Sequence, residues 1–342
     1  MLRDKFNSAF GNLAQKTPKG EELRLNLWTR AMASLSAYGG ENLFTSFLRH
    51  FWSSKYGLVR EKELYRSIKS RVATSANVMD FANEVERNSS LYAAILLPEH
   101  EFWSEASPIA RERIRTLHLL GLEQYRPMLL STLAHLELED VEEILRLLIS
   151  WNVRLLIVGG LGGGAMENHY CELGKAIRGG ELKSVDAIAG RAGSFIPNDA
   201  IFRDSFATAR VAKSYLARYY LRTLELQATG IAEPELVPNP DPGELNLEHI
   251  LPERPLDDAW QQFSEEDRNA YTKRLGNMLL LTERMNSKLR SSAFSIKREI
   301  YGKSDLLLTK KVAELDEWTK EAIENRQNYL AELALEAWKI KP

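Results

Sequence analysis

The chain has 342 residues, of which 44% are hydrophobic and 27% charged, the balance of an ordinary globular protein. Its net charge of −2 does not exclude nucleic acid as a partner, because a nucleic-acid enzyme needs only a local positive face. The single cysteine, Cys171, excludes an internal disulfide framework and any zinc site built from several cysteines.

The N-terminus lacks the apolar core of a signal peptide. No stretch reaches the roughly 18 uninterrupted apolar residues that a membrane span needs. We therefore expect a cytoplasmic protein without membrane contact, and the low cysteine content agrees with a reducing compartment. The length favours two domains.

The first 190 residues predict a helical bundle that contacts a partner or DNA. Apolar residues at three- to four-residue spacing predict a helix over 44–57. Glycine, serine, proline and asparagine cluster at 190–202 and predict a boundary between a domain at 1–190 and a second domain at 191–342. Further helical patterns in the first domain cover 62–72, 75–86, 109–121, 127–136 and 141–151.

An apolar run at 155–158 precedes five glycines within 159–164, which suggests a dinucleotide-binding turn. Such a turn needs a βαβ unit and an acidic residue about 20 positions later. The residues that follow favour helix and turn, and the Gly-Lys-Ser/Thr of a phosphate-binding loop is absent. We interpret 159–164 as a connection between helices, with a nucleotide-dependent enzyme as the alternative.

The second half begins with a predicted long helix from about 199 to 230 and a proline-rich loop at 232–244. Residues 245–253 alternate in polarity and predict a strand with Glu248 and His249 on opposite faces.

Two asparagines mark the next elements. Gly276 and Asn277 predict a turn, residues 278–282 a second strand, and Asn286 the start of a helix. Strand, strand and helix in this order are the layout of a ββα-metal nuclease. The predicted fold is therefore mainly α, an N-terminal helical bundle followed by a helical domain that embeds a ββα-metal (His-Asn-His) nuclease motif.

The residue types in this segment suit phosphodiester hydrolysis, which needs a base to activate water and a cation to stabilise the leaving oxygen. His249 is the only histidine after residue 190 and is the predicted general base. Asn277, counted with it as catalytic, is predicted to brace the loop that holds His249. Glu248 and Asn286 offer hard oxygen atoms, so we predict that they bind Mg²⁺, with Mn²⁺ as a substitute.

Residues 271–311 contain ten lysines and arginines against three acids, which predicts a phosphate-binding surface. An ordinary solvated surface is the alternative. Phosphate contacts position DNA without reading its sequence. The predicted DNA-binding residues, on or beside the helix expected after the metal site, are Lys288, Arg290, Lys297 and Arg298.

Three short motifs resemble those of His-Asn-His endonucleases: Glu-His-Ile-Leu-Pro at 248–252, Gly-Asn-Met-Leu-Leu at 276–280 and Asn-Ser-Lys at 286–288. The helical region before them resembles the middle of the GmrS/GmrD type of modification-dependent restriction enzymes. The order of eight later residues resembles the C-terminal nuclease domain of those enzymes. These residues are Phe294, Lys297, Tyr301, Ser304, Trp318, Ile323, Arg326 and Trp338.

The resemblance implies a DNA endonuclease that restricts foreign or modified DNA in a prokaryote. Fused members of this family begin with a ParB-like domain that carries a DGQQR-type motif, which this sequence lacks. The resemblance therefore implies either the nuclease half of a split system, with a separate ParB-like sensor subunit, or a truncated member. The competing interpretation is a non-catalytic DNA-binding or interaction subunit that retains the nuclease fold.

Overall fold

The computed structural model describes residues 18–72, 74–231, 245–254, 259–286, 289 and 291–342. Across these ranges the protein is mainly helical, which confirms the predicted class. The sheet found in them has two strands, so the packing of helices provides most of the architecture. None of the helices in these ranges combines the length and the apolar character that crossing a membrane requires.

The N-terminal half is a series of helices connected by short turns. Each helical pattern predicted before residue 190 coincides with part of one of them, and those at 44–57, 75–86 and 141–151 extend further than predicted. The helices are α1 (Pro18–Tyr56), α2 (Glu61–Arg71), α3 (Ser75–Leu96), α4 (Pro108–Leu120), α5 (Arg126–His135), α6 (Leu138–Val158), α7 (Gly163–Arg178) and α8 (Val185–Ala192).

The glycine-rich segment is the connection between α6 and α7. Gly159 and Gly160 have φ values of 65° and 76°, a left-handed conformation that glycine adopts without strain. The apolar run before them is helical, so the strand that a dinucleotide-binding turn needs is absent from the described residues 138–178. This confirms the interpretation of the segment as an inter-helical connection.

The predicted single helix over 199–230 is wrong. The chain forms α9 (Asp199–Phe206) and α10 (Ser214–Ala228), separated by a non-helical segment at 207–213. Inside that segment, the backbone N–H of Val211 donates to the carbonyl of Lys273 at 2.8 Å. A partner 62 positions away thus replaces the i→i−4 hydrogen bond of a continuous helix.

Two further tertiary contacts stabilise this break. Arg210 forms an isolated antiparallel bridge with Arg274. The side-chain amide of Gln327 donates to the carbonyls of Phe206 and Ala209, at 2.8 and 2.9 Å. The helix ends where these carbonyls find partners outside it, which local periodicity does not reveal.

The C-terminal part places the two strands among short helices. The predicted strands are confirmed in shorter form, and the predicted loop at 232–244 lies outside the described residues. The elements are β1 (Asn246–His249), α11 (Glu265–Tyr271), a 3₁₀ turn (Leu275–Asn277), β2 (Met278–Leu281), α12 (Glu283–Asn286), α13 (Phe294–Tyr301), α14 (Leu307–Ala313) and α15 (Lys320–Ala337).

The prediction that Asn286 opens a helix is wrong. Asn286 is the last residue of the four-residue α12, and α13 begins at Phe294. The backbone N–H groups of Met285 and Asn286 both donate to the carbonyl of Thr282, so the helical turn starts directly after β2.

Packing continues across the predicted boundary at 190/191. The guanidinium of Arg154, on α6, donates to the carbonyls of Trp338 and Pro197 and pairs with Asp199 at 2.7 Å. Trp338 is fully buried beside aromatic rings of α9 and α10 and is therefore a core residue. The boundary itself stays a prediction.

Candidate functional site

The strand pair β1–β2 carries the residues of the first two motifs. Its antiparallel register places Glu248 opposite Leu279 and His249 opposite Met278. Because neighbouring residues of a strand point to opposite faces, Glu248 and His249 enter different surroundings.

Glu248 points into the protein and is only 7% exposed. Its Oε1 accepts hydrogen bonds from Lys297 Nζ at 2.6 Å and from the Tyr301 hydroxyl at 3.2 Å. These two partners are four residues apart on α13 and therefore share one face of that helix. The same ammonium also donates to the carbonyls of His249 and Ile250, at 2.9 and 3.1 Å. Lys297 thus fixes both the carboxylate and the end of β1.

Burial changes the pKa values of this group. Desolvation raises the pKa of Glu248 and lowers the pKa of Lys297, while the attraction between the two charges opposes both shifts. The pKa of Tyr301 lies well above its usual value because of burial and the adjacent carboxylate, so its hydroxyl keeps its proton and donates. The short contact and the two carbonyl partners favour the charged form of the pair.

His249 lies on the other face of β1, with 20% of its side chain exposed. Its Nε2 is buried and has no hydrogen-bond partner among the described residues. Glu253 Oε1 is 3.9 Å away and forms an ion pair with Lys273. Burial lowers the pKa of His249 to about 4, and the positive charges of Lys273 and Lys297 add to this effect. The ring is therefore neutral at pH 7.

Asn277 is fully buried, and both ends of its amide are hydrogen-bonded. Its Oδ1 accepts from the backbone N–H of Leu251 at 2.8 Å and from Trp318 Nε1 at 3.0 Å. Its Nδ2 donates to the carbonyls of Leu251 and Thr272, at 2.9 and 3.2 Å. These bonds connect the chain after His249 to the turn before β2, as a bracing role requires.

The C-terminal helix α15 holds this turn in place. Arg326 extends its NH1 into the turn and donates to the carbonyls of Leu275, Gly276 and Met278, at 3.1, 2.9 and 2.8 Å. Burial lowers the pKa of Arg326 to about 10, which leaves the guanidinium charged at neutral pH.

Gly276 allows α15 to approach the turn closely. A Cβ atom at this position would lie 2.4 Å from the carbonyl oxygen of Ile323 and 2.8 Å from the Cβ of Gln327. The backbone N–H of Gly276 donates to Gln327 Oε1 at 3.1 Å. The position beside Asn277 therefore requires glycine for steric reasons.

Asn286 lies at the end of α12, which contacts β1. Its Nδ2 donates to the carbonyl of Leu247 at 3.5 Å, so its side chain lies along the strand that carries Glu248. Among the described residues, no group of three or more His, Cys, Asp or Glu side chains is arranged to hold a metal ion. The two proposed ligands, Glu248 and Asn286, do not form a group of three such side chains. Mg²⁺ usually keeps several waters and therefore needs only a few protein ligands.

Residues 196–333 match the family model described as "GmrSD restriction endonucleases, C-terminal domain". This segment is similar to that domain and is referred to as the GmrSD-type domain. The match includes Glu248, His249, Asn277, Asn286 and Lys297. It supports a nuclease role in restriction, with DNA as the substrate. None of the curated proteins matches the chain.

Lys297 lies in the interior of the GmrSD-type domain. The side chain has no exposed surface, and its contacts engage all three N–H donors of an ammonium. This burial leaves no surface for the predicted phosphate contact and corrects the assignment of Lys297 to the basic surface. Arg298 is 39% exposed, donates to the carbonyl of Ala313 and pairs with Asp316 at 2.9 Å. Its predicted DNA contact stays a prediction.

The other two predicted DNA contacts, Lys288 and Arg290, lie outside the described residues. Sequence reasoning did not assign a role to Glu253 or Lys273, although both lie beside His249 in the GmrSD-type domain. The spacing of these residues carries no signal, because the chain between them is not one regular element. Tyr301 was named in the sequence analysis only as part of the family resemblance. Its separation of four residues from Lys297 places both on one face of a helix.

Sequence reasoning also gave the segment at 207–213 no part in the site. The bridge to Arg274 and the hydrogen bond to Lys273 bring this segment next to the residues around His249. Arg210 and Lys213 are exposed there, and neither forms an ion pair with a carboxylate of the described residues. The exposed positive charge beside the site thus extends beyond the region at 271–311.

Proposed function

We propose that this chain is a metal-dependent DNA endonuclease of the His-Asn-His type, which restricts foreign or modified DNA in the cytoplasm of a prokaryote. The state of His249 carries the proposal. Its ring is neutral, and its Nε2 is buried without a hydrogen bond beside an ion pair. Buried polar atoms are normally paired, so an unpaired ring nitrogen in this position supports a role in accepting a proton.

In the proposed hydrolysis, His249 takes a proton from a water molecule whose oxygen forms a bond to phosphorus. The bond from phosphorus to the leaving oxygen breaks, and that oxygen takes a proton from solvent. Asn277 keeps the loop after His249 in place, so the base stays at the end of β1. The negative charge of the DNA phosphate raises the pKa of His249 above its value in the free protein and strengthens it as a base.

Glu248 and Asn286 are the residues proposed to hold Mg²⁺, or Mn²⁺ in its place. The two side-chain hydrogen bonds to Glu248 both end at Oε1, and Asn286 uses its amide nitrogen toward Leu247. The remaining oxygen atoms suit a hard cation that keeps several waters. When bound, such a cation stabilises negative charge on the phosphate and the leaving oxygen. In the proposed ββα arrangement, α12 follows the two strands.

The competing function is a non-catalytic subunit that uses the same fold to bind DNA. The observation that favours it is the pairing of Glu248 with Lys297, which leaves the carboxylate less negative toward a cation.

Cleavage of supercoiled plasmid by the purified chain, with Mg²⁺, Mn²⁺ or a chelator, separates the two functions. We expect His249→Ala to lower the nicking rate by about 10²- to 10⁴-fold, the usual contribution of a general base. His169→Ala is the control, because His169 stacks on Phe195 away from the strand pair. Equal nicking by wild type and His249→Ala would reject catalysis at this site. DNA binding without nicking by wild type would establish the non-catalytic function.

Target choice is a separate part of the proposal, in which a ParB-like subunit supplies recognition. The same assay on modified and unmodified plasmid shows whether the chain alone discriminates between them. Discrimination by the isolated chain would remove the need for a sensor subunit.

A further inference from the structure

The ammonium of Lys297 lies in the site but has no role in the proposed hydrolysis. It has no exposed surface and donates to Glu248 Oε1 and to two consecutive carbonyls at the end of β1. An ammonium with three acceptors around it is saturated. Lys297 therefore binds nothing outside the protein, and its effect on the site is exerted through Glu248 and the backbone of His249.

The two carboxylates on and just after β1 are each paired with a lysine. Glu248 is paired with Lys297, and Glu253 is paired with Lys273. The other proposed metal ligand, Asn286, carries no charge. A divalent cation is attracted by net negative charge among its ligands, and a carboxylate 2.6 Å from an ammonium offers little of it. The free protein thus lacks the negative charge that a tight Mg²⁺ site needs.

We infer that Lys297 is a positioning residue that holds Glu248 and neutralises it, so that the phosphate of bound DNA strengthens cation binding. This inference rests on the proposed endonuclease function and deepens it. The phosphate supplies the negative charge that Lys297 cancels, so cation and DNA bind cooperatively. By thermodynamic reciprocity, the cation then raises the affinity for DNA by the same factor as DNA raises the affinity for the cation.

The direct test measures this coupling in the full-length chain carrying His249→Ala, which keeps the DNA intact during the titration. Binding of Mn²⁺ is measured by calorimetry with and without a short duplex, with the duplex alone as a blank. Binding of the duplex is measured by fluorescence anisotropy with and without Mn²⁺ at fixed ionic strength. We expect each ligand to tighten the other about tenfold or more. Equal affinities in the presence and absence of the second ligand overturn the inference.

Substitution of Lys297 tests the assigned cause. Lys297→Met keeps the chain length and removes the charge, so the free protein is expected to bind Mn²⁺ about tenfold more tightly and to lose most of the coupling. Lys297→Arg keeps the charge and is expected to retain the coupling. Lys303→Met is the control, because Lys303 is exposed directly after α13. Unchanged Mn²⁺ affinity in folded Lys297→Met contradicts the inference.

Two measurements keep the outcomes separate. Thermal unfolding shows whether the Lys297→Met protein is folded. If this variant does not fold, the coupling measured in the protein that retains Lys297 decides whether the inference holds. Cleavage by wild type without coupling rejects the role of Lys297 and leaves the endonuclease intact. Absence of cleavage by wild type with either cation rejects the endonuclease function itself.

Discussion

At the scale of single residues, the side chain of Asn277 connects the parts of the site through hydrogen bonds. Its amide contacts the backbone on both sides of the strand pair and the indole of Trp318, all in the interior. An amide suits this position because it offers a donor and an acceptor on one planar group. A carboxylate of the same size offers acceptors only.

Asn277→Asp is therefore expected to destabilise the protein by about 3 kcal/mol or more, because it buries an unpaired charge and directs oxygen atoms at two carbonyls. Urea unfolding measures the loss. Asn269→Asp, on the exposed surface of α11, is the matched control and is expected to remain within about 0.5 kcal/mol of wild type. A loss below about 1 kcal/mol for Asn277→Asp would contradict the bracing role.

At the scale of elements, the turn before β2 is positioned by α15, some fifty residues further along the chain. Arg326 donates to two carbonyls of the turn and to the carbonyl of Met278 in β2. Gln327 connects the backbone of the turn to the end of α9. The short strands thus depend on a helix outside the nuclease motif for their geometry. This explains why a two-stranded sheet, marginal by itself, is held in a fixed register.

Gly276→Ala tests this dependence. The new Cβ would displace the backbone of α15 at Ile323, so we expect a loss of about 1–3 kcal/mol in stability, together with slower cleavage. Gly190→Ala is the control, because a Cβ there meets open space on α8 and a helical alanine stabilises by up to about 1 kcal/mol. A stable and fully active Gly276→Ala protein would show that α15 does not position the turn.

At the scale of the whole molecule, the chain is slightly acidic, so DNA binding depends on where its positive charge is concentrated. The break between α9 and α10 places Arg210 and Lys213 beside the connection between α11 and the 3₁₀ turn, which carries Lys273 and Arg274. Lys297 is buried and therefore does not contribute to the positively charged surface. We therefore expect the segment at 207–213 to contribute to phosphate binding in place of that lysine.

Lys213→Ala is expected to weaken DNA binding and to lower the slope of log affinity against log salt by about 0.9, the effect of losing one phosphate contact. Fluorescence anisotropy at several salt concentrations gives the slope. Lys183→Ala is the control, because Lys183 is also exposed but lies in the N-terminal half, and it should leave the slope unchanged. Identical slopes for both variants and wild type would remove the segment at 207–213 from the DNA-binding surface.

The sequence by itself determined the helical class, the two strands, the places of Glu248 and His249 on the first strand, and the place of Asn277 in the turn before the second. These features depend on neighbours within a few residues, through helical or alternating periodicity and through turn-forming residues. The strands at 245–253 and 278–282 were predictable for this reason, although each is shorter in the structure.

Tertiary structure alone decided what Lys297 and the segment at 207–213 do. A lysine on a helix near a basic cluster has the same local pattern whether its ammonium faces solvent or a carboxylate 49 positions earlier in the chain. The helix break has no local cause either, since its partners are Lys273, Arg274 and Gln327. Burial and pairing of charges are set by contacts between distant segments, and such contacts leave no periodic signal in the sequence.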